Sequence, residues 1–281
     1  MALVTTAEII DTARAAGQGV GAFNVITLEH AEAIADGARE AQQPAILQIS
    51  ENAIRFHGGR LRPLTAAVAT LAQESRASLA VHLDHIQDES LLHQAAGTGI
   101  SSVMYDGSTL EYRENVATTR EAASWGAEHD IWIEAELGKI GGKDGAHAPG
   151  VRTDPAEAVE FVRATGVNAL AVAVGSSHAM LDRTATLDLD LIGRLAAALP
   201  VPLVLHGSSG VPDETLAAAV RAGMVKINVG TALNIAFTGA VRQTLGHDES
   251  IVDPRKYLLP GREAMAAEVA RLLSIIGMAA R

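Results

Sequence analysis

The sequence predicts a (β/α)8 TIM barrel of the α/β class, on three observations. Eight short apolar runs are spread along the 281 residues, each run ends in a polar residue, and the segments between them have helical periodicity. Strands buried on both faces read as continuous apolar runs. A barrel carries its functional groups at the C-terminal ends of such strands. Strand–helix alternation with short connections argues for a parallel sheet, and eight such units argue for closure. The alternative is an open doubly wound sheet, but no G-x-G-x-x-G opens a helix after the first run.

The elements follow in order. MALVTTAEIIDTARAAG carries Glu8 and Asp11 inside an amphipathic pattern and reads as a first helix, not a cleaved leader. VGAFN ends at Asn24, and LEHAEAIADGAREAQQ after it has helical spacing. PAILQIS ends at Ser50, LAVHLDH at Asp84 and His85, SSVMYD at Asp106, and IWIEAEL carries Glu136. GKIGGKDGAHAPGVRTD follows, with five glycines between Gly138 and Gly150. It is too long for a simple barrel connection and reads as an active-site lid around 138–152. PAEAVEFVRATG is the next helix, with Asp154 as N-cap and Pro155 at the first helical position. ALAVAVGSSH then ends at His178, PLVLHGSSG carries His206, and VKINVG carries Asn228. A polar, proline-bounded stretch leads into a final amphipathic helix, giving a tail and helix over 247–281. The whole of 1–281 is expected to be one barrel domain.

Composition narrows the function classes. The formal net charge is −11 and no basic stripe is visible, which speaks against a nucleic-acid partner. No apolar run approaches the roughly 18 residues that span a membrane. The chain has no cysteine, so a thiol is neither nucleophile nor metal ligand, and a reducing cytoplasm is the expected location. An anionic ligand would need a local positive field from a metal, backbone N–H groups or a few arginines.

Four of the ten histidines stand at strand ends: His82 and His85 flanking Asp84, then His178 and His206. Three neutral imidazoles converging on one point make a zinc site with an open fourth position. Alternation along the third strand puts His82 and Asp84 on one face and His85 on the other, so spacing alone leaves the third ligand open. Gly207-Ser208-Ser209-Gly210 follows the seventh strand and Asn228-Val229-Gly230-Thr231 the eighth. The loops after these two strands are where barrels often hold a phosphate, on backbone N–H groups and a helix N-terminus.

The combination GAFNV, HLDH, EAELGKIGG, TDPAEAVEFVRATGVNALAVAVGSSH, LVLHGSSGVPDE, VKINVGTAL and DPRKYLLPGREAM resembles the class II, metal-dependent ketose-bisphosphate aldolases, and does so over nearly the whole length. The resemblance implies Zn2+ on His85, His178 and His206, with Asp84 as the acid/base at the C4 hydroxyl. It implies that Asp106 and Glu136 can hold a second or displaced divalent ion, and it leaves room for a monovalent cation. It further implies dihydroxyacetone phosphate on Ala179, Gly207, Ser208, Ser209, Asn228, Val229, Gly230 and Thr231, with Asn24 and Ser50 nearby. Arg255 matches a region that contacts the other substrate phosphate in related enzymes. A homodimer or homotetramer acting on a fructose or tagatose 1,6-bisphosphate is expected. The chain departs from the family at Ala179, where glycine is usual, and in the lid, where Lys143-Asp144 stands in place of a glutamate; Asp144 is the candidate replacement.

Competing chemistries are weaker. A Schiff-base aldolase needs a lysine on a strand. Of the four lysines, Lys139 and Lys143 lie in the lid, Lys256 in the tail and Lys226 at the start of the eighth strand. A metal-dependent hydrolase would begin with H-x-H on the first strand, where this chain has Gly21-Ala22-Phe23-Asn24. Another phosphorylated ketose as substrate, or a barrel that only binds sugar phosphates, are the remaining alternatives.

Overall fold

Eight parallel strands close into a barrel in chain order, each paired with the next and the last with the first. The computed structural model describes residues 3–137, 151–176 and 182–277. The strands are β1 Val20–Asn24, β2 Ala45–Ser50, β3 Leu79–Ile86, β4 Ser102–Tyr105, β5 Trp132–Glu136, β6 Ala169–Ala171, β7 Leu203–Leu205 and β8 Met224–Val229. The helices are α1 Thr6–Ala16, α2 Leu28–Ala41, α3 Glu51–Phe56, α4 Leu61–Glu74, α5 Glu89–His93, α6 Tyr112–Glu128, α7 Pro155–Thr165, α8 Leu189–Ala198, α9 Asp213–Arg221, α10 Thr231–His247 and α11 Arg255–Ile276.

Local chemistry sets the helix ends. Thr5 and Glu8 form a capping box on α1, and Gly17 ends it in the left-handed conformation. Asp154 accepts from the N–H groups of Ala156 and Glu157 at the start of α7, with Pro155 at its first position as expected. The sixth run departs from expectation: its ladder stops at Ala171. Beyond it, Ala173 turns to Thr153, accepting its N–H at 2.9 Å and donating to its hydroxyl at 2.8 Å.

The apolar positions of strands and helices meet in one large core between barrel and helix ring, built around Phe23, Ile34, Leu47, Val81, Phe161 and Leu205. The last helix, α11, packs against α2, α9 and β1. Contact there is close at Gly37, where an added Cβ would stand 2.6 Å from the Ala266 carbonyl and 2.7 Å from Val269. α1 packs Ile9, Ile10 and Ala13 onto Val20, Ile46, Ala80 and Val225, covering the N-terminal mouth of the barrel.

Strand alternation brings two polar layers into the barrel interior. Gln48 and Ser50 on β2, His82 and Asp84 on β3, Glu134 and Glu136 on β5, and Lys226 and Asn228 on β8 each stand two residues apart. The register pairs Gln48 with His82 and Ser50 with Asp84. The deeper residue of each pair is fully buried, so the C-terminal mouth rests on a charged floor.

Candidate functional site

β3 solves the problem that alternation posed. Leu83 pairs with Val103 and Ile86 with Tyr105, so Asp84 and His85 together oppose Met104. This is a β-bulge, which adds one residue and re-aims a side chain. His85 takes φ +50°, in the left-handed region, and both Asp84 and His85 then line the same cavity. The expectation of opposite faces fails here because the ladder is locally irregular.

Two imidazoles face each other across the mouth. His85 Nε2 lies 3.1 Å from His206 Nδ1. Each ring's outward nitrogen meets a carboxylate: His85 Nδ1 is 2.7 Å from Asp106 Oδ2, and His206 Nε2 is 3.0 Å from Glu134 Oε1. A carboxylate only accepts, so each of these two contacts calls for the proton of a neutral ring on its outward nitrogen. The inward nitrogens, His85 Nε2 and His206 Nδ1, then face one spot. That is the donor set of a divalent cation with oriented histidine ligands. Asp84, His85 and His206 bring ligand atoms within 4.8 Å of one another, as do His85, Asp106 and Glu136.

Without an ion bound, the surrounding carboxylates favour positive charge at this spot. Burial pulls the His85 imidazole down, but the carboxylates of Asp84, Asp106 and Glu136 outweigh it and raise it to about 10. Burial works against ionisation of Asp106, yet its bonds from His85 and Ser108 hold it well below the usual carboxylate range. Asp84 is raised, chiefly by burial, with His85 opposing. Its Oδ1 faces the Asn228 amide at 3.4 Å. Concentrated negative charge around two lone pairs is a place for a cation.

Behind the histidines lies a cavity of about 460 Å³ lined by Asn24, Ser50, Asp84, His85, Asp106, His206, Gly207, Ser208, Ser209, Asn228, Gly230 and Thr231. Most of the residues expected at the site therefore meet in one place. Gly207 adopts φ +68° and turns the chain into the short 3-10 turn Ser208–Gly210. Ser209 Oγ accepts the Ala232 N–H at 3.1 Å, and Ser208 donates to the Asn228 carbonyl, tying this turn to the start of α10. The N-terminus of α10 opens beside it at Gly230 and Thr231, a combination suited to an anion. A Cβ on Gly230 would stand 3.2 Å from the Asn24 amide, which Gln48 holds by a hydrogen bond.

Other expected residues do not gather here. The Val229 side chain packs into the core on the helix side. Arg255 is exposed at the start of α11, forked onto Asp253, and is not among the residues lining the cavity. His178, Ala179 and Asp144 lie outside the described residues, as does the expected lid apart from Val151 and Arg152. Sequence reasoning missed Glu134, Lys226 and Gln48, although alternation from Glu136, Asn228 and Ser50 would have found them. It also missed Arg55, the one arginine or lysine lining the cavity among the described residues, which bridges to Glu51.

Comparison with known proteins gives the family. The sequence model of the family described as fructose-bisphosphate aldolase class-II matches residues 4–281. The chain belongs to the class II fructose-bisphosphate aldolase family. It is thus an enzyme of an aldehyde-lyase family. The fructose-bisphosphate aldolase of Thermus caldophilus is 38% identical, with 99% of each chain covered. That of Staphylococcus aureus is 37% identical over 96% of this chain and 95% of the relative. The crystal structure of the YdjI aldolase from Escherichia coli K12 superposes with a TM-score of 0.83 at 27% identity, covering 98% and 97% of the two chains. Among the described residues no helix is long and apolar enough to cross a membrane.

Proposed function

We propose that this class II aldolase is zinc-dependent and reversibly cleaves a ketose 1,6-bisphosphate, of the fructose or tagatose series, to dihydroxyacetone phosphate and glyceraldehyde 3-phosphate. The observation that carries the reading is the facing pair of nitrogens, His85 Nε2 and His206 Nδ1, 3.1 Å apart, with each ring's outward nitrogen beside a carboxylate. His85 Nε2 and His206 Nδ1 would hold the ion, with His178 as the third ligand and Asp106 and Glu136 as donors for a second or displaced cation. Bound there, zinc supplies Lewis-acid polarisation of the substrate carbonyl and offsets the charge that develops beside it when the C3–C4 bond breaks.

The chain's own groups perform the remaining steps. Asp84 takes the C4 hydroxyl proton as the aldehyde leaves and returns it in the condensation direction. Burial keeps its carboxyl above the ordinary range, closer to the operating pH. The turn Gly207–Ser209 and the start of α10 at Gly230 and Thr231 receive the phosphate of dihydroxyacetone phosphate. Asn24, Ser50 and Asn228 orient the carbon chain, and Ala179 and Asp144 complete the site, Asp144 at the C3 proton. The protein acts in the cytoplasm as a homodimer or homotetramer.

The test is a coupled cleavage assay on fructose 1,6-bisphosphate and tagatose 1,6-bisphosphate in parallel, with EDTA and then Zn2+ add-back. Cleavage lost on chelation and restored by zinc supports the reading and names the preferred epimer. Absence of cleavage of both sugars in zinc-loaded protein refutes it.

A further inference from the structure

Below the histidine pair lies a buried ion pair, of which the proposed chemistry uses only the Glu134 contact with His206. Lys226 Nζ on β8 stands 2.8 Å from Glu134 Oε2 on β5, and both side chains are fully buried. The ammonium also donates to Asn228 Oδ1 at 2.8 Å. His82 Nε2 lies 3.9 Å from Glu134 Oε2, and its other nitrogen is 2.8 Å from the Ser102 hydroxyl. Burying two charges is expensive, and replacing such a pair with apolar residues of similar volume is often neutral or stabilising. Stability alone is therefore a weak reason for its presence.

Its position supplies a better one. Among the described residues, two polar neighbours of His206 Nε2 ask for opposite tautomers. Glu134 Oε1 at 3.0 Å can only accept, and so calls for a proton on Nε2. The Asn228 amide at 3.1 Å presents Nδ2, because its oxygen is committed to Lys226, and a donor there calls for a bare Nε2. In the second case the ring proton moves to Nδ1, the atom that faces His85. A charge-assisted bond is roughly twice as strong as a neutral one, so the contact with the Glu134 carboxylate decides the contest. Lys226, at 2.8 Å, is the counter-charge held against this carboxylate.

We propose that Lys226 and Glu134 are positioning residues that fix the Nε2–H tautomer of His206, so that its Nδ1 lone pair is presented to a divalent cation shared with His85. The inference rests on the metal-dependent reading above. It also gives Lys226, the one lysine on a strand among the described residues, a role that forms no covalent bond to substrate.

Two measurements on the metal-free and zinc-titrated protein test it. The first is the tautomer of His206 by nitrogen-15 NMR of histidine-labelled protein. The second is the zinc dissociation constant from competition with a chromophoric chelator. The variants are Glu134→Gln and the charge-free double variant Glu134→Gln with Lys226→Met, which removes both buried charges and guards against misfolding. The expected result is Nε2–H in the parent, a shift toward Nδ1–H in both variants, and zinc binding weaker by about 10- to 100-fold. Zinc affinity within twofold of the parent, with Nε2–H retained in the folded double variant, overturns the inference. A lower unfolding temperature with neither readout moved also overturns it, because the pair is then only structural. A parent protein that takes up no zinc overturns the metal reading itself, which is a different outcome from a parent that binds zinc equally well with and without the pair.

Discussion

Replacing Asp84 by asparagine separates the acid/base from the metal ligands. The side chain keeps its size, and its long 3.4 Å contact with the Asn228 amide adds little to the ground state. Folding and zinc binding should survive, since His85 and His206 keep their carboxylate partners Asp106 and Glu134. What disappears is a buried carboxyl, raised by burial, beside the histidine that would hold the cation. Positioned proton transfer contributes about 10²- to 10⁴-fold, or roughly 2.7–5.5 kcal/mol of barrier. The expected result is a kcat lower by that factor with one zinc retained per chain, measured by coupled cleavage on protein of known metal content. A rate within about tenfold of the parent, only ~1.4 kcal/mol, would refute the assignment. Loss of zinc in the variant would refute it differently, by making Asp84 a ligand.

Four further outcomes are expected. His206→Ala should strip zinc and activity together, and full metal content at full rate would remove it from the ligand set. Arg55→Gln, which neutralises the one cationic side chain lining the described cavity, should raise KM for a ketose bisphosphate by about tenfold, ~1.4 kcal/mol, with a smaller change for the 1-monophosphate. Gly37→Ala should cost about 1–3 kcal/mol, read by thermal unfolding, because the new Cβ meets the Ala266 carbonyl and Val269 where α2 crosses α11. Burial opposes ionisation of Asp213, but Arg183 and Arg271 outweigh it and hold its carboxyl below the ordinary value. A carboxyl lowered in the folded state stabilises above its unfolded pKa and loses that contribution as pH falls through the folded one. The unfolding midpoints of parent and Asp213→Asn should therefore differ at neutral pH and converge below about pH 4.

The barrel was legible because every strand is apolar and every strand end is not. The rule that places functional groups at those ends also located Asn24, Ser50, Asp106, His206 and Asn228 around one cavity. Three things were not legible, each for a physical reason. The bulge that turns His85 inward depends on pairing with β4, which one strand's own pattern does not reveal. The buried floor of Glu134 and Lys226 was hidden because charged residues in an apolar run look like exceptions until both strands are seen facing one interior. Arg255 is a different case: its motif matched, and α11 carries it to the surface beside Asp253, away from the residues that line the cavity. The helix at the N-terminus was readable from its amphipathic pattern, yet its use as a cover for the barrel mouth came only from the packing of Ile9 and Ile10.

The left-handed backbone of His85 has a consequence for anyone evolving this enzyme. A non-glycine residue in that conformation carries a local cost of order 1–3 kcal/mol, lower for histidine than for a branched side chain. Glycine or asparagine would sit there with less strain, at the expense of the imidazole. Selection for heat tolerance alone would drift toward the more relaxed sequence and discard the proposed metal ligand. On the zinc-dependent reading proposed above, screens for durable variants should therefore be run in the presence of zinc, so that the ion's binding energy would reward the strained dihedral instead of leaving it as a defect to be repaired.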